Sequence, residues 1–267
     1  MNIDFIEAFA YVDKSKLYLD DLAYISTNVH GWDNYTLSFN KEIKVSYNSN
    51  SNQLKVSGSI PYFKDGQNFH NDSNSFQEGI QIISDNIDYN LFNASVDLFE
   101  NGITFLSPLD LELVFNSHHS IPGAITTTYG KTGKLYKGQL KHTRLYDAGR
   151  NIKKKVSKDV RKWLTVNKGY DPSEKYIRFE DIYINPVKSF GKEIYVKDLF
   201  NTDFRTILNK DLLSSYSKII KHGGNFSYPS EPREFLLEVR ASHLPCRKSG
   251  SPCQSQPNCI HPLTLTS

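Results

Sequence analysis

Two glutamates and one tyrosine stand where their side chains need a chemical account. Glu100 falls mid-strand in Val96-Asp97-Leu98-Phe99-Glu100-Asn101-Gly102, and Glu180 falls mid-strand in Tyr176-Ile177-Arg178-Phe179-Glu180. Acidic residues are depleted in strands, so two inside apolar strands call for a reason. One reason is a shared hard-cation site, since Mg²⁺ or Mn²⁺ takes oxygen ligands. The other is an outward-facing residue, or an ion pair with Arg178 or Arg144. Tyr146, in Arg144-Leu145-Tyr146-Asp147-Ala148-Gly149-Arg150, closes a strand inside a basic segment. A tyrosine beside cations and a divalent ion can attack a phosphodiester and become a phosphotyrosine; without them it is one packed tyrosine of sixteen.

Other reactive side chains offer less. His118-His119 are adjacent, so on a strand they point to opposite faces and cannot chelate one ion together; surface histidines near a helix end are expected. Cys246, Cys253 and Cys259, with His243 and His261, have spacings that match no common zinc pattern. No P-loop, dinucleotide fingerprint or nucleophile elbow occurs.

Charge points to a partner. Residues 131–168 hold thirteen Lys or Arg against Asp147 and Asp159, a net +11; the whole chain is only +3, so the remainder carries −8. A basic segment on an otherwise acidic chain is the footprint of a polyanion, because neutralised phosphates release counterions. Lys153, Lys154, Lys155, Lys158, Arg161 and Lys162 are the candidate DNA contacts, with a merely solvated basic face as the alternative.

The elements that must position these residues follow from periodicity. The composition, 38% hydrophobic and 23% charged with mean hydropathy −0.50, supports a core. No stretch approaches the roughly 18 apolar residues of a membrane helix. With no visible signal peptide, a cytoplasmic protein without a membrane partner is expected. Alternation over residues 34–47 and 53–59 predicts a hairpin. Phe76, Ile80, Ile83 and Ile87 predict a helix over 73–87. Residues 95–105 read as a strand, with Ser107-Pro108 as the start of a helix carrying Leu111, Val114 and Phe115. Residues 135–146 read as a strand or a pair. Ile152, Val156, Val160 and Leu164 predict one amphipathic helix with a basic outer face. A strand over 175–184 and a last helix through Leu212, Leu213, Tyr216, Ile219 and Ile220, ending at Gly223-Gly224, complete the pattern. The expected class is α+β, a mainly antiparallel β-sheet flanked by helices. Residues 223–267 change in composition and are expected to be a disordered tail.

The same segments resemble the phage and plasmid replication proteins of the filamentous-phage gene II/X type, which initiate rolling-circle replication. Val56-Ser57-Gly58-Ser59-Ile60-Pro61-Tyr62-Phe63, followed by Gly66-Gln67-Asn68-Phe69-His70-Asn71-Asp72, is similar to the family's G-S-L-x-K-F…G-x-H-N block. Phe99-Glu100-Asn101-Gly102-Ile103 resembles its L-E-F-G-V-N-I strand. Residues 139–149 resemble Q-x-x-x-K-x-Y-D-K-G. Ile177-Arg178-Phe179-Glu180 resembles L-R-x-E, and residues 194–204 resemble the L-x-D-L-x-x-x-x-F segment that follows. The likeness covers residues 1–222 and implies an initiator-like domain there, with the fold of such initiators.

By that resemblance the chain is a metal-dependent nicking and joining enzyme using Mg²⁺ or Mn²⁺. Glu100 and Glu180 would be ligands and Tyr146 the nucleophile, with Lys141 and Arg144 neutralising the developing charge. The partners implied are single-stranded or hairpin origin DNA of a phage or plasmid, in the cytoplasm of a bacterial host, and a host helicase. Two departures stand out: Ala148 replaces the lysine two positions after the tyrosine, and Asn68 takes the place of the G-x-H-N histidine, with His70 nearby. The competing readings are a catalytically inactive DNA-binding protein derived from such an initiator, and a β-rich module that binds sugar or a protein through exposed tyrosines. The last leaves the +11 segment unexplained.

Overall fold

A computed structural model describes residues 2–69 and 73–221; His70, Asn71, Asp72 and the expected tail at 223–267, with its cysteines, lie outside the described residues. Ten strands form one sheet: β1 (Asn2–Tyr11), β2 (Leu22–Thr27), β3 (Trp32–Leu37), β4 (Asn40–Asn48), β5 (Gln53–Ser59), β6 (Ser95–Leu106), and then β8 (Ile125–Thr128), β9 (Gly133–Lys137), β10 (Lys141–Asp147) and β11 (Tyr176–Tyr183). A separate pair joins β7 (His118–Ser120) to β12 (Ile220–Lys221). The helices are α1 (Ile60–Asp65), α2 (Ser73–Ile87), α3 (Leu111–Ser117), α4 (Ala148–Lys155), α5 (Lys158–Lys168), α6 (Pro186–Phe190) and α7 (Thr202–Ser217). The α+β class with a mainly antiparallel sheet and flanking helices is therefore present.

The sheet order is β2-β3-β4-β5-β1-β6-β11-β10-β9-β8, and each neighbouring pair is antiparallel. Outward from the central β1–β6 pair the two halves repeat one plan. On one side β5, β4, β3 and β2 follow β1; on the other β11, β10, β9 and β8 follow β6. Each half opens with its central strand and returns a later strand beside it.

Alternation along β11 separates the two faces. Ile177 and Phe179 join Leu212 and Tyr216 of α7, while Tyr183 belongs to the main core with Ile80, Ile83 and Ile87 of α2 and Phe204 of α7. Tyr176 points the other way, into a cluster with Ile152 of α4, Val156, and Leu164 of α5.

Several boundaries differ from the sequence expectation for local reasons. Residues 34–47 hold two strands, because Asn40 turns the chain by accepting the Glu42 N–H at 2.8 Å. The expected helix through Ile152 and Leu164 is broken after Lys155: Val156 is extended, and the Ser157 hydroxyl accepts the Val160 N–H to cap α5. Asp110, rather than Ser107, caps α3 through the Glu112 N–H. Helix α7 begins at Thr202 and ends at Ser217, so Ile219 and Ile220 lie beyond it. His118 is a correction to the surface assignment: it is buried, bonded to Val114 O at 2.7 Å and Tyr216 Oη at 3.1 Å, and burial pushes it down to about 4.

One glycine is required by close approach. A Cβ on Gly102 would lie 2.6 Å from the Glu180 Cβ and 3.0 Å from the Phe179 carbonyl across the β6–β11 pair. Gly102→Ala should therefore destabilise the fold by about 1–3 kcal/mol through overpacking, seen as a Tm several degrees lower in thermal unfolding. An unchanged Tm would show that the strands separate freely there.

Candidate functional site

The register of the central strands builds the site. Gly102, Glu180 and Arg144 are cross-strand neighbours on β6, β11 and β10, and the next row holds Thr104, Arg178 and Tyr146. Directly opposed residues share a face, so the sheet brings Glu180, Arg144, Arg178 and Tyr146 together. Glu100 joins from β6 and Asp4 from β1, and one carboxylate oxygen from each of Asp4, Glu100 and Glu180 lies within 4.8 Å of the others.

Asp4 was not among the sequence candidates. Its signal was available, since Ile3-Asp4-Phe5-Ile6 places an acid in an apolar strand, the criterion that singled out the two glutamates. His142 was also missed. Two residues before Arg144 on β10, it lines the same cleft, and its buried Nδ1 has no hydrogen-bond partner among the described residues.

The ion pairs anticipated as the alternative account are present together with the acidic cluster. Arg178 donates from Nε to Glu180 at 2.7 Å and from Nη2 to Asp4 at 3.2 Å. Its Nη1 reaches the Asn68 carbonyl at 3.0 Å and Thr104 Oγ1 at 3.1 Å. Arg144 bonds Glu180 and reaches Glu100 at 3.2 Å. Asn68, at the position of the family's histidine in the resemblance, donates to Asp4 at 2.5 Å, and Ser59 donates to the other Asp4 oxygen at 2.6 Å.

These environments separate the two glutamates. Burial would raise Glu180, but Arg144 and Arg178 overcome it and hold the carboxylate below its ordinary value. Glu100 has less compensation; burial first, and then Glu180, raise it to about 8. Tyr146 donates to Glu180 Oε2 at 3.3 Å, and the Arg144 guanidinium lies 5.1 Å from its ring centre. Burial, and then the Glu180 charge, push the phenol well above its usual range.

The cluster forms the floor of a cleft of about 630 Å³ lined by Asp4, Glu100, Arg144 and Tyr146, with Arg150, Lys154 and Lys155 contributed by α4. Lys155 also sits 5.9 Å from the Tyr62 ring centre. Lys153, Lys158 and Lys162 are exposed elsewhere on α4 and α5, and half-buried Arg161 points back to the Lys153 carbonyl at 3.4 Å. Lys141 is not brought to the cleft. Three residues from Arg144 on one strand, it faces the other side of the sheet, where it pairs with Asp181 at 3.0 Å and Asp211 at 2.7 Å under α7.

Three converging carboxylate oxygens are a donor set suited to a small hard cation such as Mg²⁺ or Mn²⁺. Comparison of the chain with protein-family models, curated proteins and solved structures finds no match. No helix among the described residues is long and apolar enough to cross a membrane.

Glu100 has a thermodynamic signature. Its folded value of about 8 exceeds its ordinary 4.5, so across that range the folded protein holds a proton the unfolded chain has released. Stability must therefore fall as pH rises through the window. Asp181, raised to about 6, adds to this fall around pH 6, while His118, lowered from its ordinary 6.5, opposes it until the unfolded histidine has lost its proton about one unit higher; above pH 6.5 that opposing part is smaller than the Glu100 contribution. Between pH 6.5 and 8 the Tm of the metal-free protein should drop, and Glu100→Gln should flatten that slope. Parallel curves for the two proteins would refute the assignment.

Proposed function

We propose that this protein is a divalent-metal-dependent DNA nicking and joining enzyme that acts through a phosphotyrosine on Tyr146, as a rolling-circle replication initiator does. The observation that carries the reading is convergence: Tyr146, Asp4 and Glu100 line one cleft with Arg150, Lys154 and Lys155, and the fully buried Glu180 beside them accepts from the Tyr146 phenol and completes the carboxylate cluster.

Asp4, Glu100 and Glu180 would hold Mg²⁺ or Mn²⁺, and the ion when bound supplies charge neutralisation at the scissile phosphate. Lys154 and Lys155 hold flanking phosphates and bring the strand into the cleft. Tyr146 Oη bonds to phosphorus as the P–O3′ bond breaks, leaving the phosphate of the 5′ end on the enzyme. Because Glu180 is held ionised, the phenol proton passes to water in the cleft, while the departing 3′-oxygen takes a proton from water. The free 3′-hydroxyl primes synthesis, and the reverse reaction rejoins the strand. Arg144 is the guanidinium placed to neutralise charge on the phosphate. Origin DNA of a phage or plasmid, a host helicase and a bacterial cytoplasm belong to this reading through the family resemblance.

A second reading has its own observation. Arg144 and Arg178 already neutralise most of the cluster, and Ala148 stands where the resemblance calls for lysine, as in a DNA-binding protein that has lost nicking.

The separating experiment incubates the chain with labelled circular single-stranded DNA of its own replicon, with and without Mn²⁺. A Mn²⁺-dependent covalent adduct, abolished in Tyr146→Phe, is the expected result. An adduct that survives in the variant would move the nucleophile to Tyr62 or Tyr129, which line the same cleft. DNA binding without any adduct would select the inactive form. In the same preparation, Lys154→Ala and Lys155→Ala should each weaken DNA binding and reduce the slope of log affinity against log salt, by roughly 0.7 for each single-strand phosphate that the variant no longer neutralises. Unchanged slopes would remove α4 from the DNA interface.

A further inference from the structure

The two guanidiniums at the acidic cluster differ in how they are held. Arg178 is 2% exposed and spreads its bonds over Glu180, Asp4, Thr104 and the Asn68 carbonyl, so it belongs to the sheet. The Arg144 side chain is 34% exposed and lines the cleft, and its hydrogen-bond partners among the described residues are the carboxylates of Glu100 and Glu180 alone. Its guanidinium thus occupies the side of the cluster that opens to the cleft, and it lies over the Tyr146 ring. Three carboxylates against two guanidiniums leave a net charge of −1 when all are ionised. A divalent ion entering beside both guanidiniums would reverse that sign in a buried site and be repelled by the nearer one.

We propose that Arg144 is a phosphate-exchanged latch: a DNA phosphate draws its guanidinium off Glu100 and Glu180, and this departure opens the carboxylates to the metal ion and uncovers Tyr146. The inference rests on the proposed metal-dependent reading and adds to it that ion and DNA bind with positive coupling, transmitted by one side chain. A guanidinium exchanges carboxylate for phosphate readily, because both accept its paired N–H donors. Arg178 lacks this freedom because four separate groups hold it. The arrangement would make ion loading specific for a strand that presents phosphate in the cleft.

The test is calorimetric titration of Mn²⁺ into the full chain, alone and saturated with oligothymidylate, beside Arg144→Gln and Glu180→Gln. For the unaltered protein, oligothymidylate should tighten Mn²⁺ binding by about tenfold or more, within the usual range of coupling between sites. By linkage, saturating Mn²⁺ must tighten oligothymidylate binding by the same factor, a measurement on the native protein that needs no variant. Arg144→Gln should bind Mn²⁺ tightly without DNA and lose the coupling, and Glu180→Gln should lose Mn²⁺ binding. Equal Mn²⁺ affinity with and without the oligonucleotide, in a protein whose Mn²⁺ binding still depends on Glu180, overturns the latch and leaves the metal centre intact. Absence of Glu180-dependent Mn²⁺ binding under every condition overturns the metal-dependent reading and the latch with it.

Discussion

A fully buried carboxylate flanked by two guanidiniums is the constraint on which this structure turns. Glu180 has no exposed side-chain surface, and Arg178 beside it is nearly as enclosed. An uncompensated charge in that position would be prohibitive, and removing one partner of a buried pair typically costs about 3–5 kcal/mol. The sheet must therefore hold Arg144 and Arg178 within reach of Glu180 whatever else it does. Because the three residues lie on two adjacent strands, a one-residue slip of β10 against β11 would send Arg144 to the opposite face. The ion pairs and the register thus specify each other.

The strand order explains why this cluster sits at the middle of the molecule. The halves that begin with β1 and β6 meet through those two strands, and Asp4 and Glu100 lie on opposite sides of that seam. Glu180 follows on β11, with Gly102 leaving the space its side chain needs. Acids distant in the chain converge because an antiparallel sheet brings their strands side by side at roughly 5 Å. Burial drives Glu100 toward its protonated form, while Arg144 and Arg178 keep Glu180 ionised.

Basic charge enters the same region through a break in a helix. A continuous amphipathic helix would run one basic stripe along the surface. The extended Val156 and the Ser157 cap divide it, so that α4 presents Arg150, Lys154 and Lys155 to the cleft while Lys158 and Lys162 remain on the outside of α5. The break at residues 156–157 therefore divides the charge of the segment between the cleft and the outer surface.

Much of the plan is legible in the order of the residues. The α+β class, the helix at 73–87, the strand pair around residues 135–146 and the oddity of acids at 100 and 180 all follow from local pattern, because periodicity and strand propensity are properties of neighbouring residues. The same rule applied to Ile3-Asp4-Phe5-Ile6 would have found Asp4. Tertiary structure alone decided which candidates meet. Lys141 and Arg144 share a strand, a basic segment and a family motif, yet an odd separation places them on opposite faces, Lys141 beneath α7 and Arg144 in the cleft. The pairing of β11 with β10 brought Arg144 to Glu180, beside Arg178 two residues away on the same strand, and the pairing of β11 with β6, which joins residues 70 or more apart, brought Glu100 to the same cluster. Sequence determines the type of each side chain and the period of each segment; register between distant strands determines which charges must neutralise one another.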